Sequence, residues 1–200
     1  VIDCVGFMVD GAAGHVENGE ERLVKTPWFD YDIPFTQAAE IGTRKVINDH
    51  STIGIVVTTD GTIGEIKRPG YIAAEKQTID ELKKLGKPFV VLLNSTKPYS
   101  DETARLAREM SESYGVSVLP VNCEQLKKED VFHILERVLK EFPVTEMDFH
   151  IPKWLEILPS THWLKAQVLQ AARNVNQKVT HMKDLSGERQ QQQTETRRSL

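Results

Sequence analysis

Three apolar runs rich in β-branched residues constrain this chain most: Ile53-Gly54-Ile55-Val56-Val57-Thr58, Pro88-Phe89-Val90-Val91-Leu92-Leu93 and Val116-Ser117-Val118-Leu119-Pro120-Val121. Apolar residues at successive positions, without alternation, describe strands covered on both faces, as in a parallel sheet. Val1-Ile2, just ahead of Asp3-Cys4-Val5-Gly6, reads as the end of a fourth buried strand. A domain rarely starts inside a core strand, so this reading implies further strands and a helix upstream. Helical patterns separate the runs. One extends from about Thr36 to Asp49. The next places Ile79, Leu82 and Leu85 at i, i+3 and i+6, closed by Gly86 and Pro88, which form a stop signal. A third follows Ser100, with Asp101 and Glu102 in the first turn, where the helix dipole favours negative charge. It carries Leu106, Met110 and Tyr114 and stops at Gly115. A fourth aligns Val131, Ile134, Leu135 and Val138 on one face. Strand–helix alternation at this spacing predicts an α/β fold with a parallel three-layer sheet and right-handed crossovers.

Two regions stand outside the repeat. Val9 to Phe35 is rich in glycine and charge and reads as a long loop, a kind that is usually functional or mobile. After Phe142-Pro143 the pattern changes. Leu164, Val168, Val175, Val179 and Met182 form an amphipathic helical stripe that needs a partner on another domain or subunit. Residues 186–200 hold one apolar residue, the last, and a run from Gln190 to Gln193, so they read as disordered. The expected division is 1–142 for the α/β domain, 143–185 for a linker and helix, and 186–200 for the tail.

Charge and cysteine usage narrow the function. Lys plus Arg is 25 and Asp plus Glu is 29, a net charge of −4, which argues against a nucleic-acid partner. Cys4 and Cys123 cannot build a disulfide framework and suit a reducing compartment. No apolar run approaches the ~20 residues that span a bilayer, and no basic segment followed by an apolar one reads as a secretory leader. The six histidines show no ligand spacing for a metal. Ser95 and Ser100 have no accompanying His–Asp arrangement for acyl transfer.

The residues that could carry chemistry sit where the apolar runs end. Asp3-Cys4-Val5-Gly6 has the form D-x-x-G. Ligands of open α/β sheets lie beyond the carboxyl ends of the strands. There a carboxylate can hold Mg²⁺ through water, and a glycine lets its backbone N–H approach a terminal phosphate. A strand-end Asp with a turn Gly is the plain alternative. Asn94-Ser95-Thr96-Lys97 directly follows the second long run, and Val121-Asn122-Cys123-Glu124 closes the third. Each could equally be a strand-to-helix turn, with Asn94 capping the first. Thr58-Thr59-Asp60-Gly61-Thr62-Ile63-Gly64 ends the first run. It could face a nucleotide or a neighbouring subunit, or form a solvated turn with Asp60 holding backbone N–H groups.

Taken in order, D-x-x-G, long loop, strand, helix and strand plus Asn resemble the TRAFAC class of P-loop GTPases. The chain is more closely similar to the stage IV sporulation protein A family of spore-coat morphogenetic ATPases. The segments that carry this include Asp3-Cys4-Val5-Gly6-Phe7, Thr26-Pro27-Trp28, Ala39 to Ile47, His50 to Gly54, Thr58 to Gly64, Gly86-Lys87-Pro88-Phe89 and His162-Trp163-Leu164. The likeness extends from Val1 to about Asp184. It implies a P-loop NTPase-like sheet, with Asp3 as the Walker B carboxylate on Mg²⁺ and Gly6 facing the γ-phosphate. Asn94, Ser95, Asn122 and Cys123 would lie on the base side of ATP. GTPases carry N-K-x-D where this chain has Asn94-Ser95-Thr96-Lys97. Lysine has no acceptor for the two guanine hydrogens that the aspartate takes. The likeness further implies hydrolysis of ATP that drives self-association into a polymer. That polymer would lie at the outer forespore membrane in the mother-cell cytoplasm. A small amphipathic membrane peptide of the stage V sporulation protein M type and other coat morphogenetic proteins would be its partners. No G-x-x-x-x-G-K-[ST] phosphate loop occurs in the 200 residues, and the family carries it upstream of the part matched here. Two other readings stay open: a TRAFAC-type GTPase with relaxed base specificity, and a non-catalytic assembly module.

Overall fold

The computed structural model describes residues 1–185; the tail expected at 186–200 lies outside them. The chain divides into two compact units, Val1–Val138 and Leu139–Leu200.

The first unit opens without a strand. Val1, Ile2 and Val5 are exposed, and Val1-Ile2 has no strand partner among the described residues. The expected fourth buried strand is therefore not present: an apolar dipeptide with no neighbouring ladder has nothing to satisfy its backbone groups or cover its side chains. Val9 to Phe35 is also more ordered than a plain loop. Strand β1 (Val16–Glu17) pairs antiparallel with β2 (Glu20–Glu21), and β3 (Leu23–Val24) with β4 (Ile33–Pro34). Asn18 (φ 56°) and Gly19 (φ 85°) form the two-residue turn of the first pair, and positive φ at both positions is what a tight hairpin of native twist needs.

Helix α1 (Phe35–Lys45) continues through a π-turn to His50. Lys87 Nζ donates to the carbonyls at its end, those of Ile47, Asn48 (2.9 Å) and Ser51 (2.7 Å). One ammonium thus satisfies acceptors that a helix terminus leaves open. Strands β5 (Gly54–Thr59), β6 (Phe89–Asn94) and β7 (Val118–Val121) form a parallel sheet in that order. Helix α2 (Arg68–Lys84) connects β5 to β6, α3 (Asp101–Tyr114) connects β6 to β7, and α4 (Lys128–Lys140) follows. The α/β class expected from the sequence is what forms. Ser100 caps α3 by accepting from the Thr103 N–H at 3.2 Å, and Gly115 ends it at φ +62°.

The core follows from strand alternation. Phe89, Val91 and Leu93 of β6 cluster with Val56, with Ile79 and Leu82 of α2, with Ala107 and Met110 of α3, and with Phe7 and Ile47. Val90 and Leu92 point to the opposite face and are buried as well, so β6 is covered on both sides. Full burial of one such side chain contributes about 1.5–3 kcal/mol. Strand β5 departs from the expected two-sided burial: Ile55 and Val57 are exposed, as is Ile53 just before the strand. It is an edge strand, and no described element covers that face. The other edge is protected. Val91 N–H donates to Ser117 O and Ser95 N–H to Val121 O, so Pro120 faces outward, where its missing N–H removes no ladder bond. On α4, Ile134 and Val138 are buried while Val131 and Leu135 are exposed, so the covered stripe is narrower than the predicted one.

An ion pair with a buried carboxylate lies beside the carboxyl end of β5. Arg68 donates twice to Glu75, at 2.6 and 2.8 Å, and once to the Thr58 hydroxyl at 3.1 Å. Tyr114 Oη donates to Glu75 at 2.7 Å. These bonds join the start of α2 to the end of α3.

The second unit contains α5 (Lys153–Ile157) and α6 (Trp163–Lys178). Lys165 Nζ closes the turn between them by donating to the carbonyls of Glu156 and Leu158, each at 2.9 Å. A bridge between Pro143 and His181 ties the two ends of the unit. The predicted stripe stops early: Val179 is the buried C-cap of α6, and Met182 lies past the helix, exposed.

Candidate functional site

Parallel strands bring the carboxyl ends of β5, β6 and β7 to one end of the sheet, and the loops 58–64, 94–100 and 121–127 meet there. Asn94 sits at the last position of β6, and its side-chain Oδ1 accepts the Cys123 N–H at 2.9 Å. The Ser95 N–H donates to Val121 O at 2.9 Å, and the Asp60 N–H donates to Asn94 O at 3.3 Å. Asn94 therefore ties the three loops together, through its side chain to Cys123 and through its backbone carbonyl to Asp60. Asn122 caps the short 3₁₀ turn Cys123–Gln125 by accepting from the Glu124 N–H at 3.0 Å. Burial pushes the half-buried Cys123 thiol pKa up, so it remains a neutral group.

Beside these loops lies a cavity of about 600 Å³, within the size range of small-molecule sites. Lys97, Tyr99, Asn122, Lys127 and Asp130 are among its lining residues. It offers an exposed aromatic face, donors and a carboxylate. Of the four residues expected on the base side, Asn122 lines it; Asn94 and Cys123 do not, and neither does Ser95. That residue is fully buried, with Oγ accepting the Lys97 N–H at 3.0 Å and paired with Thr103 Oγ1 at 3.3 Å. The expectation of a direct ligand contact through Ser95 is corrected to a supporting place behind the loop, because its hydroxyl is already engaged.

Asp60 governs the β5 loop. Its Oδ1 accepts from the Thr62 N–H at 2.9 Å and the Thr62 hydroxyl at 2.6 Å, and its Oδ2 accepts from Thr103 at 3.4 Å. Thr62 Oγ1 in turn accepts the Thr96 N–H at 3.0 Å. Partial burial works against the Asp60 charge, but hydrogen bonds from Ser95, Thr62 and Thr103 outweigh it and hold the carboxyl below its ordinary value.

Asp3 and Gly6 lie on the segment before the sheet. Asp3 is exposed, and Gly6 has φ +83° with open space where a Cβ would stand. The segment is anchored just after them, by Phe7 in the core and by the Asp10 N–H, which donates to Gly70 O at 3.0 Å. Gly70 has to be glycine for this approach: a Cβ there would stand 2.6 Å from Asp10 O. The structure brings Asn94, Asn122 and Cys123 together. Among the described residues no hydrogen bond or ion pair joins Asp3 to them.

Comparison with known proteins identifies the lineage. Residues 1–143 match the sequence family described as Stage IV sporulation protein A, ATPase domain, and residues 144–199 match Stage IV sporulation protein A, middle domain. The chain belongs to the stage IV sporulation protein A family. It is 43% identical to Stage IV sporulation protein A of Bacillus subtilis (strain 168) over 185 residues, which is 92% of this chain and 38% of that protein. It is 46% identical to Stage IV sporulation protein A of Clostridioides difficile (strain 630) over 187 residues, 94% of this chain and 38% of that protein. The chain thus spans well under half the length of these stage IV sporulation protein A relatives. No solved structure matches it.

Two parts of the arrangement were missed from sequence. The Arg68–Glu75–Tyr114 bonds could have been suspected from two charged residues seven apart in α2, one of them on the face that carries Ile79 and Leu82. In the chain Asp60–Thr62–Thr96, the turn in which Asp60 holds a backbone N–H is one of the readings the sequence offered. The onward link to Thr96 was not, and its signal was only the hydroxyl-rich run that ends β5.

Proposed function

We propose that this chain forms the base-side half of an ATP site in a stage IV sporulation protein A. The full-length protein would hydrolyse ATP to drive its own assembly into the basement layer of a bacterial spore coat. The observation that carries this is the clamp of Asn94 on the Cys123 N–H beside the cavity that Lys97 lines. The clamp joins two strand-end loops, and Lys97, a donor only, would stand where guanine selection requires an acceptor. Adenine, whose ring edge offers acceptors beside one amine, suits such a wall better than guanine does.

The donor set also bears on the metal. Among the described residues no cluster of three or more His, Cys, Asp or Glu side chains could hold an ion. A lone carboxylate such as Asp3 fits Mg²⁺ that arrives with the triphosphate and keeps part of its water shell. When bound, that ion neutralises phosphate charge. Asp3 would accept hydrogen bonds from its shell, and Gly6 would offer its backbone N–H to the terminal phosphate with no side chain in the way. Asn94 and Asn122 would orient the base.

The polymer, the amphipathic peptide of the stage V sporulation protein M type and the other coat morphogenetic proteins belong to this proposal as partners. So does a place in the mother-cell cytoplasm against the outer forespore membrane. No helix among the described residues is long and apolar enough to cross a membrane.

Competition between nucleotides on the full-length protein tests the reading. Unlabelled ATP is expected to displace a bound ATP analogue at concentrations about tenfold or more below those needed for GTP. A tenfold preference corresponds to about 1.4 kcal/mol, the scale of one lost hydrogen-bonded contact. GTP displacing better would favour the relaxed GTPase, and no displacement by either would leave the assembly module.

A further inference from the structure

The base loop Asn94–Ser100 is held from behind by groups that line no part of the cavity. Thr62 reaches across from the end of β5, and its hydroxyl accepts the Thr96 N–H at 3.0 Å. That hydroxyl is itself fixed, since its proton goes to Asp60 at 2.6 Å. Asp60 is fixed in turn by the Thr62 N–H and by Thr103, whose hydroxyl also meets Ser100 at 2.9 Å. Ser95 completes the ring by accepting the Lys97 N–H. Ser95 and Thr103 are buried, whereas Thr62 is exposed.

A hydroxyl that donates to a charged carboxylate is a better acceptor at its own lone pairs, so the Asp60–Thr62–Thr96 relay is stiffer than three separate bonds. It joins the β5 loop to the β6 loop through side chains, beside the backbone bond from the Asp60 N–H to Asn94 O at 3.3 Å. A network there does little for the hydrophobic core. Its geometric effect falls on the Thr96-Lys97 backbone, and through it on where Lys97 enters the cavity.

We infer that Asp60 and Thr62 are positioning residues for base recognition: they fix the Thr96-Lys97 backbone so that Lys97 faces the nucleobase. This rests on the ATP reading above. The relay sets affinity and base choice and leaves the phosphate end untouched.

Thr62→Val and Thr62→Ser in the full-length protein test it, with steady-state hydrolysis of ATP and of GTP. Valine keeps the shape of an exposed side chain and removes the hydroxyl, so folding should survive, and the thermal midpoint of each variant checks that. The expected result for Thr62→Val is a rise in KM for ATP of about 3–10-fold, the loss of one modest hydrogen bond, with kcat within about twofold. The ratio of ATP to GTP kcat/KM should narrow, and Thr62→Ser should restore both values. An unchanged KM and ratio in folded Thr62→Val would overturn the inference, as would a fall in kcat alone or a serine variant that rescues nothing. Absence of ATP hydrolysis in the unsubstituted protein would instead sink the ATP reading itself, and the inference with it.

Discussion

Replacing Glu75 by alanine should lower the stability of the first unit by about 3–5 kcal/mol, the cost of leaving one member of a buried ion pair without its partner. The Glu75 side chain is 1% exposed and the Arg68 side chain 17%, so the guanidinium would be left largely out of water without its carboxylate. Hydrogen exchange in the full-length protein should show lost protection in β5, α2 and α3. Protection unchanged in α3 would mean that Tyr114 does not depend on Glu75. The same cluster fixes two pH windows. Burial raises the Glu75 pKa, but the bonds from Arg68, Thr58 and Tyr114 outweigh it and hold the carboxyl below its ordinary value of 4.5. That stabilisation is present above about pH 4.5 and is lost as pH falls through the lowered value. Tyr114 goes the other way: burial first, then the Glu75 carboxylate, push it from 10 up to about 12. Its contribution is present below pH 10 and is lost as pH rises toward 12. Tyr114→Phe should remove the alkaline window and narrow the acid one, since Glu75 keeps its bonds from Arg68 and Thr58 but loses that from Tyr114, as read by unfolding midpoints across pH.

Asp3→Asn in the full-length protein should reduce ATP turnover by on the order of a hundredfold, the loss seen when a developing charge in a reaction loses one electrostatic stabiliser. Asparagine keeps the size and removes the charge that would attract the hydrated Mg²⁺. Because Asp3 is exposed and makes no ion pair among the described residues, the substitution should leave the thermal midpoint where it was. Turnover unchanged in Asp3→Asn would show that this carboxylate is not the one that serves Mg²⁺.

The parallel sheet was legible because its central strand is apolar at successive positions from Phe89 to Leu93. Val90 to Leu93 are buried on both faces, and no other common structure explains such a run at that length. The helix ends were legible through Ser100, Gly86 and Gly115, whose chemistry is local. Edges were not. Ile55 and Val57 read like Val90 and Leu92, yet they are exposed, because a strand's cover is decided by elements that its own sequence does not encode. The Val9 to Phe35 region was misread although Asn18-Gly19 is a strong hairpin signal; strands of two residues are too short for any periodicity to show. In the site, Asn94 was found from its place at a strand end. Its partner, the Cys123 backbone, could not be, because a main-chain donor leaves no mark in a sequence. Ser95 looked equivalent to Asn94 in the motif, but it follows the last residue of β6 and its hydroxyl is buried against Thr103 and the Lys97 N–H.

Photolabelling of the full-length protein with an azido-adenine analogue of ATP, followed by mapping of the modified peptides, tests the central claim most directly. The account predicts label within 94–100 and 121–130, suppressed by ATP in excess and poorly by GTP. Label confined to other segments, with these two loops unmodified, would contradict it.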